Sequence, residues 1–208
     1  MTLFLSEAEV VQLLPMAECI QALQEAFSHA GAGMTENKPR SRIRMPNGFF
    51  HFMAAADAKH NVFGYKAYPS FAGAGGSKMV VMLYDFESGE LLACLEGGRL
   101  GQIRTGATTG VATKYMASSH ATTIGIIGTG YQASRQVEAI CGVRPIEVVR
   151  CYSRKPENRE AFAEQMAKAL TVTMDPVATP EECVDGRRSC RPPECHRSGC
   201  HHDGVRPH

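Results

Sequence analysis

The sequence predicts an α/β protein in which an α+β domain precedes an incomplete parallel, doubly wound sheet unit. Three observations carry that prediction. Between residues 40 and 96, short apolar runs with alternating patterning are broken by turn dipeptides such as Asn-Gly, the signature of strands and hairpins. After residue 121 the pattern changes to strand, helix, strand, helix and a further short strand, which is the signature of parallel, right-handed βαβ units. At the first strand-to-helix turn of that second region stands a glycine cluster, "IGIIGTGYQA".

The elements follow in order. "SEAE" places Ser6 three residues before Glu9, a capping-box pattern that starts a helix. Pro15 suits the first turn of a longer helix. Met16, Ile20, Leu23 and Phe27 recur there at helical spacing and are read as core, with "GAG" at 31–33 as the stop. "RSRIRMP", "FFHFMAAAD" and "VFGYKAYPSF" read as strands, and "KMVVMLYDFESGELLACLEG" as a hairpin turning at "ESG". "GQIRTGATTGVATKYMASSH", rich in small residues, reads as a closely packed helix. Beyond the domain boundary near Ser119 come a strand (122–128), a helix (131–141), a strand (146–152), a helix (156–169), a short strand near "LTVTMD" and a helix start at "ATPEE". The expected organisation is residues 1–119, 120–182 and a compositionally distinct tail, 183–208.

Composition narrows the function. A net charge of +1 offers no electrostatic footprint for nucleic acid or an anionic membrane. No apolar run approaches the ~20 residues that span a bilayer, and "MTLFLSEAEV" lacks the basic start of a signal peptide. A cytoplasmic protein is expected. Cys19, Cys94, Cys141 and Cys151 lie in apolar surroundings and are read as buried free thiols.

The glycine cluster carries chemistry. Gly128, Gly130 and Ala133 fit G-x-G-x-x-A, a permitted form of the Rossmann dinucleotide fingerprint. Gly128 permits a tight turn, Gly130 lets backbone approach a diphosphate, and Ala133 lets helix pack on strand. The diphosphate then meets the free amides and positive dipole of the helix start. The pattern has a strand before it and a helix after it, so cofactor binding is favoured over a turn that merely needs its glycines. The second strand ends in Ser153 and Arg154 rather than an acidic residue. A hydroxyl followed by a guanidinium suits a 2′-phosphate, so NADP(H) is favoured over NAD(H), although Arg154 and Lys155 also read as solvated loop charges.

With "GQIRTGATTGVATKYMA" feeding "IGIIGTGYQA", the chain resembles the ornithine cyclodeaminase/mu-crystallin family, which includes alanine dehydrogenase and ketimine reductase branches. The resemblance covers residues 1 to about 180. It implies a Rossmann domain beside a substrate-binding and dimerisation domain, hence a homodimer for the full-length form. It also implies hydride transfer between NAD(P) and the α-carbon of a small amino or imino acid, as cyclodeaminase, dehydrogenase or ketimine reductase. By the family pattern Arg40, Lys66 and Arg104 hold the substrate carboxylate, with Lys66 assisting proton transfer. Arg104, Tyr131 and Gln132 then contact the cofactor with Gly128, Gly130, Ser153 and Arg154. From the residues alone, Lys66 reads as a strand-edge charge, Arg104 as a helix-cap contact, and Arg42 or Arg44 as substitutes for Arg40. A non-catalytic NADP(H)- or small-ligand-binding protein of the mu-crystallin type is the competing reading. The glycine-rich "FAGAGGSK" departs from the family loop after the lysine, and no residue is assigned to the family's catalytic aspartate.

The tail breaks the pattern. Residues 183–208 contain Cys183, Cys190, Cys195 and Cys200, half of the eight cysteines, yet only Val184 and Val205 as aliphatics. A buried Val- and Ile-rich strand is the expected continuation. The cysteine spacings match no paired C-x-x-C zinc pattern, so no metal site is assigned. A shifted reading frame in a GC-rich gene accounts for the composition. On that reading the tail adds nothing to the fold, and the 208-residue chain is expected to be an inactive, truncated form.

Overall fold

A computed structural model describes residues 1–71 and 78–185. The centre of the "FAGAGGSK" segment and the tail from 186 onward lie outside the described residues. So do the tail cysteines Cys190, Cys195 and Cys200, and with them the expectation that the tail adds nothing to the fold.

The chain opens with strand β1 (Leu3–Leu5), helix α1 (Glu7–Leu13) and helix α2 (Met16–Gly31). Ser6 and Glu9 form the full capping box at α1, and Pro15 sits immediately before α2. Met16, Cys19 and Ile20 of α2 are buried. Phe27, read from its spacing as core, is instead exposed, because the buried face of α2 is the one that carries Met16, Cys19 and Ile20. Strands β2 (Thr35–Asn37), β3 (Ser41–Met45), β4 (Gly48–Asp57), β5 (Val62–Phe71), β6 (Val80–Asp85) and β7 (Leu91–Glu96) follow. They form a sheet in the order β1-β7-β6-β5-β4-β2, with β3 also pairing β4. All pairs are antiparallel except β1 with β7, a parallel edge that the apolar patterning did not announce. The β6–β7 hairpin turns where predicted, with Gly89 at φ +72°.

Helix α3 (Gly98–Met116) leads out of this sheet. Its N-terminus has no side-chain cap of its own. Glu7 of α1 supplies one, its carboxylate accepting the Gly98 amide at 2.7 Å and the Arg99 amide. A negative group at that end also complements the helix dipole. At the other end Arg144 donates to the carbonyls of Lys114 (2.6 Å), Ala117 (3.1 Å) and Ser118 (3.2 Å). These include carbonyls of the last helical turn, which lack intrahelical partners.

The second region comprises β8 (Thr123–Ile127), α4 (Ala133–Val143), β9 (Val148–Tyr152), α5 (Pro156–Ala169), β10 (Thr173–Pro176) and α6 (Pro180–Val184). Its strands are all parallel, in the order β10-β9-β8, which is the 3-2-1 half of a Rossmann sheet. Helix α4 begins at Ala133, two residues later than its pattern suggested, because the glycine loop occupies Gly128 to Gln132. Val137, Val149, Cys151, Phe162, Ala163 and Met166 form the core of this half.

Helix α6 carries the described chain beyond residue 182. Cys183, grouped with the tail by composition, is buried against this sheet. Gly125 makes room for it, since a Cβ there would lie 2.2 Å from the Cys183 carbonyl oxygen. Arg150 of β9 is also buried, and its guanidinium donates to the carbonyls of Glu182 (3.3 Å) and Asp185. Of the other cysteines, Cys19 and Cys151 are fully buried while Cys94 and Cys141 are partly so.

The two regions share a core. Met16, Cys19 and Ile20 of α2, Ile103, Ala107 and Val111 of α3, and Ala139 of α4 form one cluster. Helices α3 and α4 approach at glycine: a Cβ on Gly106 would lie 2.3 Å from the Arg135 carbonyl oxygen, and one on Gly110 would lie 3.2 Å from the Ala139 Cβ. The small residues of "RTGATTG" are therefore a packing surface, set by sequence, that seats the dinucleotide-type unit on the first domain.

Candidate active site

Two groups of side chains meet the N-terminal half of α3. The first lies over the large sheet. Lys66 is on β5, opposite Met53 of β4 and Val81 of β6, and is half-buried. Arg40 stands between β2 and β3, and Arg104 is on α3. Burial pushes the Lys66 ammonium below its ordinary range, and the positive charges of Arg104 and then Arg40 push it further. Arg104 and Arg40 therefore lie near enough for their charges to bear on Lys66. Among the described residues no ion pair neutralises any of them. Such a set is suited to an anion, and a guanidinium matches a carboxylate in shape as well as charge.

His51 extends this site and was not singled out by sequence. It faces Tyr68 across the β4–β5 pair, so it shares the sheet face of Lys66. It is buried, with Nε2 2.7 Å from the Ser70 hydroxyl and its ring stacked on Tyr68 at 4.7 Å. Burial, then Arg40 and Arg42, hold its pKa below the usual value. Its Nδ1 has no hydrogen-bond partner among the described residues. A single histidine in a strand gives no sequence signal; only the pairing register brings it beside Lys66.

The second group is the glycine loop. Gly128 leaves β8 at φ +100°, where a side chain is strained, and its amide is tied to the Tyr152 carbonyl at 2.8 Å. Neither Gly128 nor Gly130 has any atom within 4 Å of where a Cβ would stand. Open space therefore lies over the loop at the start of α4, and no side chain caps that helix. A cleft of about 480 Å³ is lined by Ile127, Gly128, Thr129, Gly130, Tyr152, Ser153, Arg154 and Asn158. The glycines and the Ser153–Arg154 pair, separated in sequence, thus border one cavity. Asn158 was not anticipated and enters because α5 begins directly after β9.

Tyr131 and Gln132 complete the loop. Tyr131 is exposed, its hydroxyl donates to the Gly98 carbonyl at 3.3 Å, and Arg99 lies over its ring at 5.8 Å. Gln102, a buried residue of α3, donates its side-chain amide to the Tyr131 carbonyl. The side-chain oxygen of Gln132 is buried with no hydrogen-bond partner among the described residues. The residues fit a dinucleotide: a cradle without Cβ atoms, a helix start without a cap, and one buried polar atom left unpaired. Helix α3 links the groups, holding Tyr131 through Gln102 and presenting Arg104 toward Lys66.

The sequence as a whole matches a known protein family. The ornithine cyclodeaminase/mu-crystallin family model matches residues 1–188. The chain belongs to that family. It is similar to a Δ1-pyrroline-2-carboxylate reductase of Bacillus cereus, 52% identical over 101 residues, which are 47% of this chain and 31% of the reductase. Among solved structures it is similar to the Thermococcus litoralis Δ1-pyrroline-2-carboxylate reductase in complex with NADH and L-proline. The TM-score there is 0.83 at 32% identity, covering 89% of this chain and 59% of that one. It also resembles an archaeal alanine dehydrogenase dimer with bound NAD, with a TM-score of 0.81 at 28% identity, covering 88% of this chain and 57% of that one. The chain thus spans well under two thirds of these relatives. The α/β fold with a Rossmann-like nucleotide unit agrees with both solved structures.

Proposed function

We propose that the protein is built as an NAD(P)-dependent oxidoreductase acting on the α-carbon of a small amino or cyclic imino acid. The observation that carries this is the single basic cluster of Arg40, Lys66 and Arg104, joined through α3 to the glycine loop. Residues 1–119 form the substrate-binding unit and residues from 120 onward the nucleotide-binding unit. The nicotinamide cofactor supplies or accepts the hydride. Arg40 and Arg104 hold the substrate carboxylate. Lys66, with its lowered pKa, exchanges a proton with the substrate nitrogen. Glycines 128 and 130 receive the diphosphate, while Tyr131 and Gln132 line the approach to it. Reduction of an imine is favoured over cyclodeamination because two of the similar proteins above are Δ1-pyrroline-2-carboxylate reductases.

The test is NAD(P)H oxidation with Δ1-pyrroline-2-carboxylate, in parallel with NADPH binding followed by fluorescence. Lys66→Met is expected to cut turnover about 10²- to 10⁴-fold, as loss of a general acid–base does, while leaving NADPH affinity in place. Its thermal midpoint should hold or rise, because a positive charge disfavoured by burial and by Arg104 is removed. A Lys66→Met protein with the wild-type kcat would exclude this role. Binding of NADPH with no turnover on any ketimine by the wild-type chain would fit both the small-ligand-binding reading of the mu-crystallin type and the inactive truncated form, and turnover regained in a chain extended to the length of its relatives would decide for the latter.

Cofactor choice belongs to this proposal. The solved relatives above hold NADH or NAD, whereas Ser153 and Arg154 at the end of β9 support NADP(H). Arg154 lines the cleft and carries the charge a 2′-phosphate needs. Ser153→Asp is expected to weaken NADPH binding about tenfold or more by repulsion, with little change for NADH. Tighter binding of NADH than NADPH by the unmutated protein would reverse the assignment.

The outer face of the large sheet supports a homodimer. By register, Phe4, Ile43, Phe52, Phe63 and Val80 share the face opposite Lys66, and all five are exposed. A contiguous apolar face of this kind marks an interface.

A further inference from the structure

We infer that His29, Asp57 and His60 form a binding site for a zinc-type divalent cation, on the edge of the large sheet and separate from Lys66 and the glycine loop. His29 lies in the last turns of α2, Asp57 ends β4, and His60 lies in the turn before β5. Sequence spacing does not mark the set, since 28 positions separate His29 from Asp57. Folding brings them together. His29 Nδ1 is 3.0 Å and His60 Nδ1 is 2.9 Å from the same Asp57 oxygen, Oδ2. One ligand atom from each residue lies within 4.8 Å of the others. A tetrahedral zinc ion with ligands at 2.0–2.1 Å holds them about 3.3 Å apart. The three atoms bind one ion if their widest separation closes by up to about 1.5 Å.

The surroundings are those of a metal site rather than of a chance ion pair. The second oxygen of Asp57 is already engaged, accepting the backbone amides of Lys59 at 3.0 Å and His60 at 3.3 Å. Those bonds fix the carboxylate and leave Oδ2 for a ligand. The other ring nitrogen of His60, Nε2, faces Glu25 Oε2 at 3.7 Å. A carboxylate behind a histidine is the usual device that orients a metal-bound imidazole. His29 and Asp57 are largely shielded while His60 is half exposed, so an ion has a way in and a fourth position for water. Two imidazoles and one carboxylate select zinc over magnesium or calcium, which prefer all-oxygen sites. A bound ion would fasten the end of α2 to the β4–β5 turn, at a corner that carries no part of the proposed reaction.

The test is titration of the whole chain with zinc chloride, with stoichiometry read by elemental analysis and affinity by calorimetry. The wild type is compared with His29→Ala, His60→Ala, Asp57→Asn and Glu25→Gln. Cysteines and histidines beyond residue 185 are common to all these proteins, so any zinc they hold cancels in the comparison. His29→Ala, His60→Ala and Asp57→Asn should each lose one equivalent of zinc. Glu25→Gln should keep it with affinity weakened about 10- to 100-fold. Zinc should raise the thermal midpoint of the wild type by more than it raises that of His60→Ala. If Asp57→Asn fails to fold, His60→Ala, on a half-exposed turn, still decides the matter. Equal zinc stoichiometry and affinity in the wild type, His29→Ala and His60→Ala would overturn the inference.

Discussion

Replacing Gly130 by valine is expected to weaken dinucleotide binding about 100-fold while leaving the protein folded. No atom lies within 4 Å of the added Cβ, and Gly130 is not among the glycines held at positive φ. The added Cβ therefore meets no neighbour among the described residues, and the position imposes no left-handed strain. The branched side chain does fill the space over the start of α4, where the diphosphate must come within hydrogen-bonding distance of backbone amides. Hydrogen bonds to a charged group contribute about 1.5–3 kcal/mol each, so losing one or two weakens NADPH binding about 100-fold. Circular dichroism and the thermal midpoint should match the wild type. Gly128→Val is the informative contrast, because Gly128 sits at φ +100°. It should lose binding and also about 1–2 kcal/mol of stability. Undiminished NADPH affinity in Gly130→Val would mean that the nucleotide binds elsewhere.

The second large effect is at the seam between the two regions. Gly106→Ala places a Cβ 2.3 Å from the Arg135 carbonyl oxygen and 2.6 Å from its carbonyl carbon. Both are backbone atoms, so no rotamer change relieves the clash, and α3 and α4 must separate. Overpacking of this kind costs about 1–3 kcal/mol, more than alanine gains over glycine in a helix. With about 1 kcal/mol offset by helix propensity, and at about 2–4 °C per kcal/mol for a chain of this size, a fall of up to roughly 8 °C in thermal midpoint is expected. Gly142→Ala on α4 is the control: it meets nothing within 4 Å and should be neutral or stabilising. Equal midpoints for the two variants would show that the helices are not in the contact described.

Much of the nucleotide unit was legible because its constraints are local. The turn after β8 requires a residue that tolerates positive φ, so Gly128 announces itself. The helix start requires a small residue against the strand, so Ala133 does too. The capping box at Ser6 and Glu9 is likewise decided within four residues. The basic cluster was named only through the family resemblance, since its members are 26 and 38 positions apart and share no period. Nothing in the residues around Lys66 distinguishes it from a strand-edge charge until β5 and α3 are seen together.

Sequence by itself determined the order of elements from β3 onward, the glycine turn, the small-residue face of α3 and the absence of an acidic residue after β9, because each depends on near neighbours or on backbone geometry. Tertiary structure decided the rest. Register placed His51 beside Tyr68 and on the same face as Lys66, and it turned Phe52 and Phe63 to the opposite, exposed face. Packing of α2 left Phe27 in solvent in spite of its helical spacing. The closeness of Gly125 to α6 brought Cys183 into the core although composition grouped it with the tail. Folding alone set His29 and His60 on one oxygen of Asp57. The physical reason is the same throughout: periodicity says which face of an element is apolar, but burial, charge environment and ligand geometry depend on which other element covers that face.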